Sequence, residues 1–259
     1  MTIKKYSGMM IVLFLASPGC MKSYDKLFQE GLELKAEGKY NESIKKFEEA
    51  STKKATAEVY KEIANYYIEY TKDYDKAESF LNKSLLIDPN YPNARHNMGL
   101  VFLKRYEQSM DVNENKNFLV SADKWLSENI AKNPEFGLSY AEYGMVLFYE
   151  NHFKEALSSI NAAMEKGINK NYGHLLIGKI YFFGYKDYKT ALEHFNIAYN
   201  DFSKDSYLLK MLASCHKNLN HKGESHAYYQ KYMKSLQENG ASAALIDKAK
   251  AEEASLTAN

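Results

Sequence analysis

A small residue recurs at Gly31, Ala64, Gly99, Gly144, Gly178 and Ala213, each followed three positions later by a large one: Leu34, Tyr67, Phe102, Leu147, Tyr181 and His216. A second small residue then leads a large one by four: Ser43/Phe47, Ala77/Leu81, Ala122/Leu126, Ala156/Ile160, Ala191/Phe195 and Ser225/Tyr229. Successive second anchors lie 34, 45, 34, 35 and 34 residues apart. Three- and four-residue offsets place each pair on one helix face. A fixed period of this size stacks such helix pairs into a solenoid, in which no pair can bury its apolar face alone. The spacing therefore predicts six helix pairs, near 24–54, 56–88, 91–133, 136–167, 170–201 and 205–238, in one extended all-α domain. Small residues let the two helices of a pair approach, and the large residues fill the space between them. An aromatic residue opens most second helices (Tyr40, Tyr74, Phe153, Tyr188) and is placed to close the turn.

The pattern resembles the tetratricopeptide repeat (TPR), whose signature is W-x2-L-G-x2-Y, then A-x3-F, then a Pro. Repeat four reads Tyr140-x2-Tyr143-Gly144-x2-Leu147 and Ala156-x3-Ile160; repeat five reads His174-x2-Ile177-Gly178-x2-Tyr181 and Ala191-x3-Phe195. Pro89 and Pro134 supply the Pro. The resemblance covers Tyr24 to Leu236, with repeats at about 24–55, 56–89, 91–135, 136–169, 170–204 and 205–238. It implies a right-handed superhelix. The first Trp position is never Trp, and repeat six places His216 and Ser225 where the family prefers Tyr and Ala.

Two segments fall outside the period. Repeat three carries eleven extra residues around 107–121, polar and Asn-rich, read as a loop or an extended helix end. Insertions in repeat proteins map to one edge and are often used for binding. After Gly240, residues 241–256 read as a helix that caps the stack, with a modest stripe of Ala244, Leu245, the Lys248 stem, Ala251 and Leu256.

The chain opens on Lys4 and Lys5, a short apolar run from Gly8 to Ala16, then Ser17-Pro18-Gly19-Cys20. A basic start, an apolar centre too short to span a bilayer, and small residues are the layout of an export signal. A Cys directly after it resembles the bacterial lipoprotein signal. That resemblance implies removal of residues 1–19, acylation of Cys20, and a tether at 20–23. Ser17 departs from the usual Leu, and ordinary secretion with cleavage near Gly19 is the alternative. Two or more acyl chains would anchor the chain stably, where one is marginal. Met21, Lys22 and Ser23, with no Asp at the second position, tilt the family analogy toward the outer membrane.

A net charge of +1 leaves no global field for nucleic acid or anionic lipid. Arg, the main reader of phosphates and bases, occurs only as Arg95 and Arg105. With Cys20 acylated, Cys215 stands alone, and its place on a helix reads as packing. Asp111-x-Asn113-x-Asn115 begins like an EF-hand loop, but Lys116 stands where Gly is needed and Ala122 where a bidentate Glu is needed. His216, His221 and His226 do not share a helix face, so no metal site is expected. Phosphate-loop, zinc-protease and nucleophile-elbow motifs are missing, and no enzyme activity or cofactor is expected.

The resemblance further implies a concave groove lined by the first helices. Carried over repeat by repeat, its positions fall on His96, Leu100, Leu103 and Lys104; Ala141, Met145, Phe148 and Tyr149; Tyr172, Leu175, Lys179, Phe182 and Phe183; and Lys210, Ser214 and Lys217. An aromatic middle with lysines at both ends suits a peptide or helix with apolar anchors and acidic flanks. Some family members clamp a terminal carboxylate. Here the first three clamp positions fall on Lys61, Asn65 and Asn97, but the last two fall on Leu138 and Glu142, which cannot attract it. Two functions are therefore expected. One is a tethered scaffold in the bacterial cell envelope that aids assembly of a protein complex; its architecture resembles the type IV pilus pilotin family. The alternative is a periplasmic module holding an apolar small molecule or a transporter component. An open aromatic trough would favour the first, a closed pocket the second.

Overall fold

The computed structural model describes residues 23–109 and 112–255. The export signal, Cys20 and Leu256 lie outside the described residues. The chain divides after Pro89 into two compact units.

The N-terminal unit holds α1 (Ser23–Ala36), α2 (Tyr40–Lys53), α3 (Ala57–Tyr66) and α4 (Tyr74–Ile87). The C-terminal unit holds α5 (Pro92–Gln108), α6 (Val112–Lys132), α7 (Gly137–Tyr149), α8 (Phe153–Glu165), α9 (Lys170–Lys179), α10 (Tyr188–Phe202), α11 (Ser206–Asn218), α12 (Lys222–Glu238) and α13 (Ala243–Ala254). No strand occurs among the described residues. The fold is all-α, built from antiparallel helix pairs.

Each pair closes as its anchors dictate. Phe47, Leu81, Leu126, Ile160 and Phe195 are 2 % exposed or less. A Cβ added to Gly178 would stand 2.5 Å from Phe195 Cε1, and one added to Gly99 would stand 2.5 Å from Leu126 Cγ. Such contact distances leave no room for any side chain. Where Ser replaces the family's Ala, it bonds across the pair: Ser43 Oγ donates to Gly31 O at 2.7 Å, and Ser225 Oγ to Ala213 O at 2.9 Å. A hydroxyl in an otherwise apolar seam is tolerated because it finds this carbonyl.

The turns within pairs share one device. A left-handed residue (Gly38, Lys72, Asn151, Lys186 or Asn220) ends the first helix. The amide after it donates back to the carbonyl of the large residue: Lys39 to Leu34, His152 to Leu147 and His221 to His216, at 2.8–2.9 Å. This is the Schellman closure of a helix C-terminus. In repeats two and five the small anchors stand thirteen residues apart, against twelve in repeats one, four and six. The extra residue widens the last turn to a π-helix, over Tyr67–Thr71 and Ile180–Tyr185, closed by Asp73 to Tyr67 and Asp187 to Tyr181 at 3.0 Å.

The insertion of repeat three is taken up as helix. It lengthens α5 to 17 residues and α6 to 21, where α7 and α8 have 13 each. The helix α13 starts behind Gly240 (φ 68°), with Ser242 accepting from the Leu245 amide. Its buried face is a correction to the sequence stripe. Ala249 is buried and Ile246 packs beside it, whereas Ala244, Leu245, Lys248 and Ala251 are exposed. Polar anchors fix that phase: Glu253 Oε1 accepts from Gln230 and pairs with His226, both on α12.

Candidate functional site

The C-terminal unit opens a trough of about 830 Å³ along its first helices. Its walls are Lys104, Tyr106 and Glu107 of α5, Asn115 of α6, Phe148 and Tyr149 at the end of α7, Asn151 and Phe153 at the turn into α8, Tyr172, Leu175, Leu176 and Lys179 of α9, Phe183 of the π turn, and Tyr207 of α11. The longer α5 and α6 of repeat three bring Glu107 and Asn115 to it. Tyr106 packs on Tyr149 (4.8 Å between ring centres), Tyr149 on Phe148 (5.1 Å), and Phe148 on Phe153 (5.9 Å). These rings make one continuous aromatic wall.

Charged side chains line the trough among the rings. Glu107 accepts from Lys104 Nζ and from the Tyr149 hydroxyl, each at 2.7 Å. Burial pushes the Glu107 pKa up, but the Lys104 charge and these two bonds outweigh it and hold it below the usual value. Glu142 accepts from the Tyr172 hydroxyl at 2.7 Å, and there burial dominates and raises the pKa. Burial also raises the phenols of Tyr149, Tyr172 and Tyr207. The Lys179 ammonium lies 5.6 Å from the centre of the Tyr207 ring, and burial pushes its pKa down.

Of the residues the resemblance placed in the groove, Lys104, Phe148, Tyr149, Tyr172, Leu175, Lys179 and Phe183 line the trough. The rest require correction or lie apart. His96, Ala141 and Met145 are buried, at 6 %, 0 % and 2 % exposure. They lie on first helices that pack against one another, α7 against α5 and α9, and that packing covers these positions. Leu103 is buried as well, and Leu100 is half-buried outside the trough. Phe182 turns inward against Tyr188 (5.2 Å) and Phe195. The lysines of repeat six are taken by the capping segment: Lys210 pairs with Glu252 at 2.9 Å, and Lys217 donates to Ser255 at 2.7 Å. The clamp positions Lys61 and Asn65 both bond to Glu62, a buried carboxylate that Lys35 also holds at 2.8 Å.

Tyr106, Glu107, Asn115, Asn151, Phe153, Leu176 and Tyr207 escape the sequence reading. Tyr207 carries a usable signal, because it precedes Ala213 by six residues just as Tyr172 precedes Gly178. Among the described residues, no cluster of three or more His, Cys, Asp or Glu could hold a metal ion, and no helix is long and apolar enough to cross a membrane. Cys215 is fully buried and unbridged, its thiol pushed up to about 12 by burial.

No family model matches the chain, and no curated protein matches it in sequence. Solved structures do match. A thermophilic TPR protein from Thermus thermophilus is 19 % identical, with a TM-score of 0.65 over 74 % of this chain and 98 % of that one. A tetratricopeptide repeat protein from Parabacteroides merdae is 14 % identical, with a TM-score of 0.67 over 94 % and 87 %. The fold is TPR-like. PilW, a widely conserved type IV pilus biogenesis factor, matches with a TM-score of 0.64 at 15 % identity, over 85 % of this chain and 94 % of that one. PilF of Pseudomonas aeruginosa matches at 0.59, also at 15 % identity, over 89 % and 97 %.

Proposed function

We propose that this chain is a lipid-tethered scaffold of the bacterial cell envelope. It docks a protein partner in the trough of its C-terminal unit and so helps assemble or position an envelope complex. The aromatic trough carries the reading. It is open along one side, as a polypeptide needs and an enclosed small-molecule site does not. The likeness to PilF and PilW makes pilus or secretin assembly the setting to examine first. The tether rests on the basic start, short apolar run and Cys20 of the sequence.

Fractionation of cells expressing wild type and Cys20→Ser tests the tether. Wild type should sediment with membranes, enriched in the outer-membrane fraction, and take up a labelled palmitate analogue. The variant should lose the label and appear in the soluble fraction. Equal membrane association of an unlabelled wild type and of the variant would contradict acylation.

A further inference from the structure

Among the described residues the chain has two π turns, and each borders a pocket. That of repeat five carries Phe183 to the trough. That of repeat two lies in the N-terminal unit and borders a separate open pocket of about 470 Å³. Widened turns of this kind recur at functional sites. Gly38, left-handed at φ 77°, reverses the chain so that α2 starts on Tyr40. Tyr40 stacks on Tyr70 of the π turn, with 3.8 Å between ring centres. Tyr70 is still 40 % exposed, and the Tyr66 ring stands 5.7 Å from it. The Tyr66 hydroxyl donates to Asn41 Oδ1 at 2.6 Å, which fixes the amide and leaves its Nδ2 to donate. Glu42 follows on α2, exposed; Lys39, whose charge it feels, is paired with Glu37 at 2.8 Å.

The lining differs in kind from that of the trough. The trough offers Phe148, Phe153, Leu175, Leu176 and Phe183 to an apolar anchor. Among the described residues, no Leu, Ile, Val, Met or Phe lines the smaller pocket. Its apolar surface is phenol ring, edged by Asn41, Glu42 and Thr71. A protein partner's anchor side chain finds no apolar socket there. A sugar ring matches both parts. The C–H bonds on the face of a pyranose are weakly positive, and the face of a phenol ring is negative. Two neighbouring hydroxyls match the two oxygens of one carboxylate, in charge-assisted hydrogen bonds. The volume also falls within the roughly 300–1,000 Å³ of small-ligand sites.

We propose that this pocket of the N-terminal unit binds a pyranose sugar. A C–H face of the sugar lies on Tyr70, a vicinal pair of its hydroxyls donates to Glu42, and Asn41 Nδ2 donates to a further sugar oxygen. The sugar is either free or a unit of a glycan chain. The site is independent of the trough and of what docks there.

The full chain, purified in detergent, would be titrated with mono- and tetrasaccharides of glucose, galactose, mannose and N-acetylglucosamine. Ligand-observed NMR is expected to show at least one binding with a Kd below about 1 mM. A tetrasaccharide that binds more tightly than its monosaccharide identifies a glycan chain as the source, and equal affinity identifies the free sugar. Tyr70→Ala should weaken binding roughly tenfold. Glu42→Ala should weaken it roughly tenfold to a hundredfold, the range for charge-assisted hydrogen bonds. Removing one of the paired hydroxyls from the sugar should cost a similar factor in wild type and little more in Glu42→Ala. A merely structural role for Glu42 would not produce that coupling. Ile197→Ala, in the other unit and outside both pockets, should bind as wild type does. Binding by none of these sugars, or binding indifferent to Tyr70→Ala and Glu42→Ala, would overturn the proposal. So would a proline-rich peptide that binds in a Tyr70-dependent way where every sugar fails. Unchanged helical circular dichroism certifies each variant as folded.

Discussion

Replacing Phe195 by alanine is expected to destabilise the C-terminal unit by about 3–5 kcal/mol, the cost of emptying a filled aromatic site in a core. Phe195 on α10 is fully buried among Ala191, Leu208, Leu212 and Cys215. Its ring edge occupies the space that the missing side chain of Gly178 leaves on α9. The reverse change should therefore also cost stability. A Cβ at position 178 would meet Phe195 Cε1 at 2.5 Å and Cδ1 at 2.6 Å, and Gly178→Ala should lose about 1–3 kcal/mol by overpacking. The two changes should couple. Repeat two already carries the smaller combination, Ala64 with Leu81. Gly178→Ala with Phe195→Leu should accordingly be more stable than the sum of its single variants implies. Urea unfolding followed by circular dichroism checks this. Strict additivity would mean that the ring and the glycine do not share the seam.

The second large effect is a loss of stability in mild acid. His96 is buried between α5 and α7, with its Nδ1 3.5 Å from Ser139 Oγ and its ring 5.6 Å from that of Phe136. Asn129 donates to the same hydroxyl at 2.8 Å and to Pro92 O at 3.0 Å. These neighbours are neutral and do not compensate a charged ring, and burial lowers the His96 pKa to about 4. The unfolded imidazole protonates near its ordinary value of 6.5, so between those values the unfolded chain binds the extra proton. Stability is then full above about pH 6.5 and falls as the pH drops toward 4, by about 3 kcal/mol in all. His174 and His194, whose Nδ1 atoms lie 2.8 Å apart, are lowered by burial and act in the same direction. Unfolding free energies at pH 7, 6 and 5 test the point, using fluorescence of Trp125, the single Trp of the chain, whose ring lies 5.1 Å from the Arg95 guanidinium. In His96→Gln the slope should shrink by more than half. An unchanged slope would place the acid sensitivity elsewhere.

The helix pairs were legible because close packing leaves few choices. A residue such as Gly178 is small for the same reason that Phe195 is large, and the period repeats that match six times. Even the widened turn of repeat five had a sequence trace, the thirteen-residue step from Gly178 to Ala191. The trough was legible at Lys104, Phe148, Tyr149, Tyr172, Leu175, Lys179 and Phe183. Repeat register places Met145 and Phe148 alike on a groove, but it does not tell which positions the packing of adjacent first helices covers. Nor does it give the direction in which an insertion grows, so Glu107 and Asn115 went unseen as wall residues. The α13 face was missed because its anchors are charged: Glu252 and Glu253 bond to Lys210, His226 and Gln230, while a hydrophobic stripe reads only apolar positions.

Occupation of the trough by a protein partner is tested most directly by placing a photo-crosslinking phenylalanine analogue at position 183. Phe183 lies 40 % exposed on the trough wall, and Ile197, at 39 % on α10 outside it, serves as the control position. In living cells a discrete protein adduct is expected from position 183, fading in a Phe148→Ala, Tyr149→Ala background, and none from position 197. Adducts of equal yield from both positions, or from position 197 alone, would contradict a partner seated in the trough.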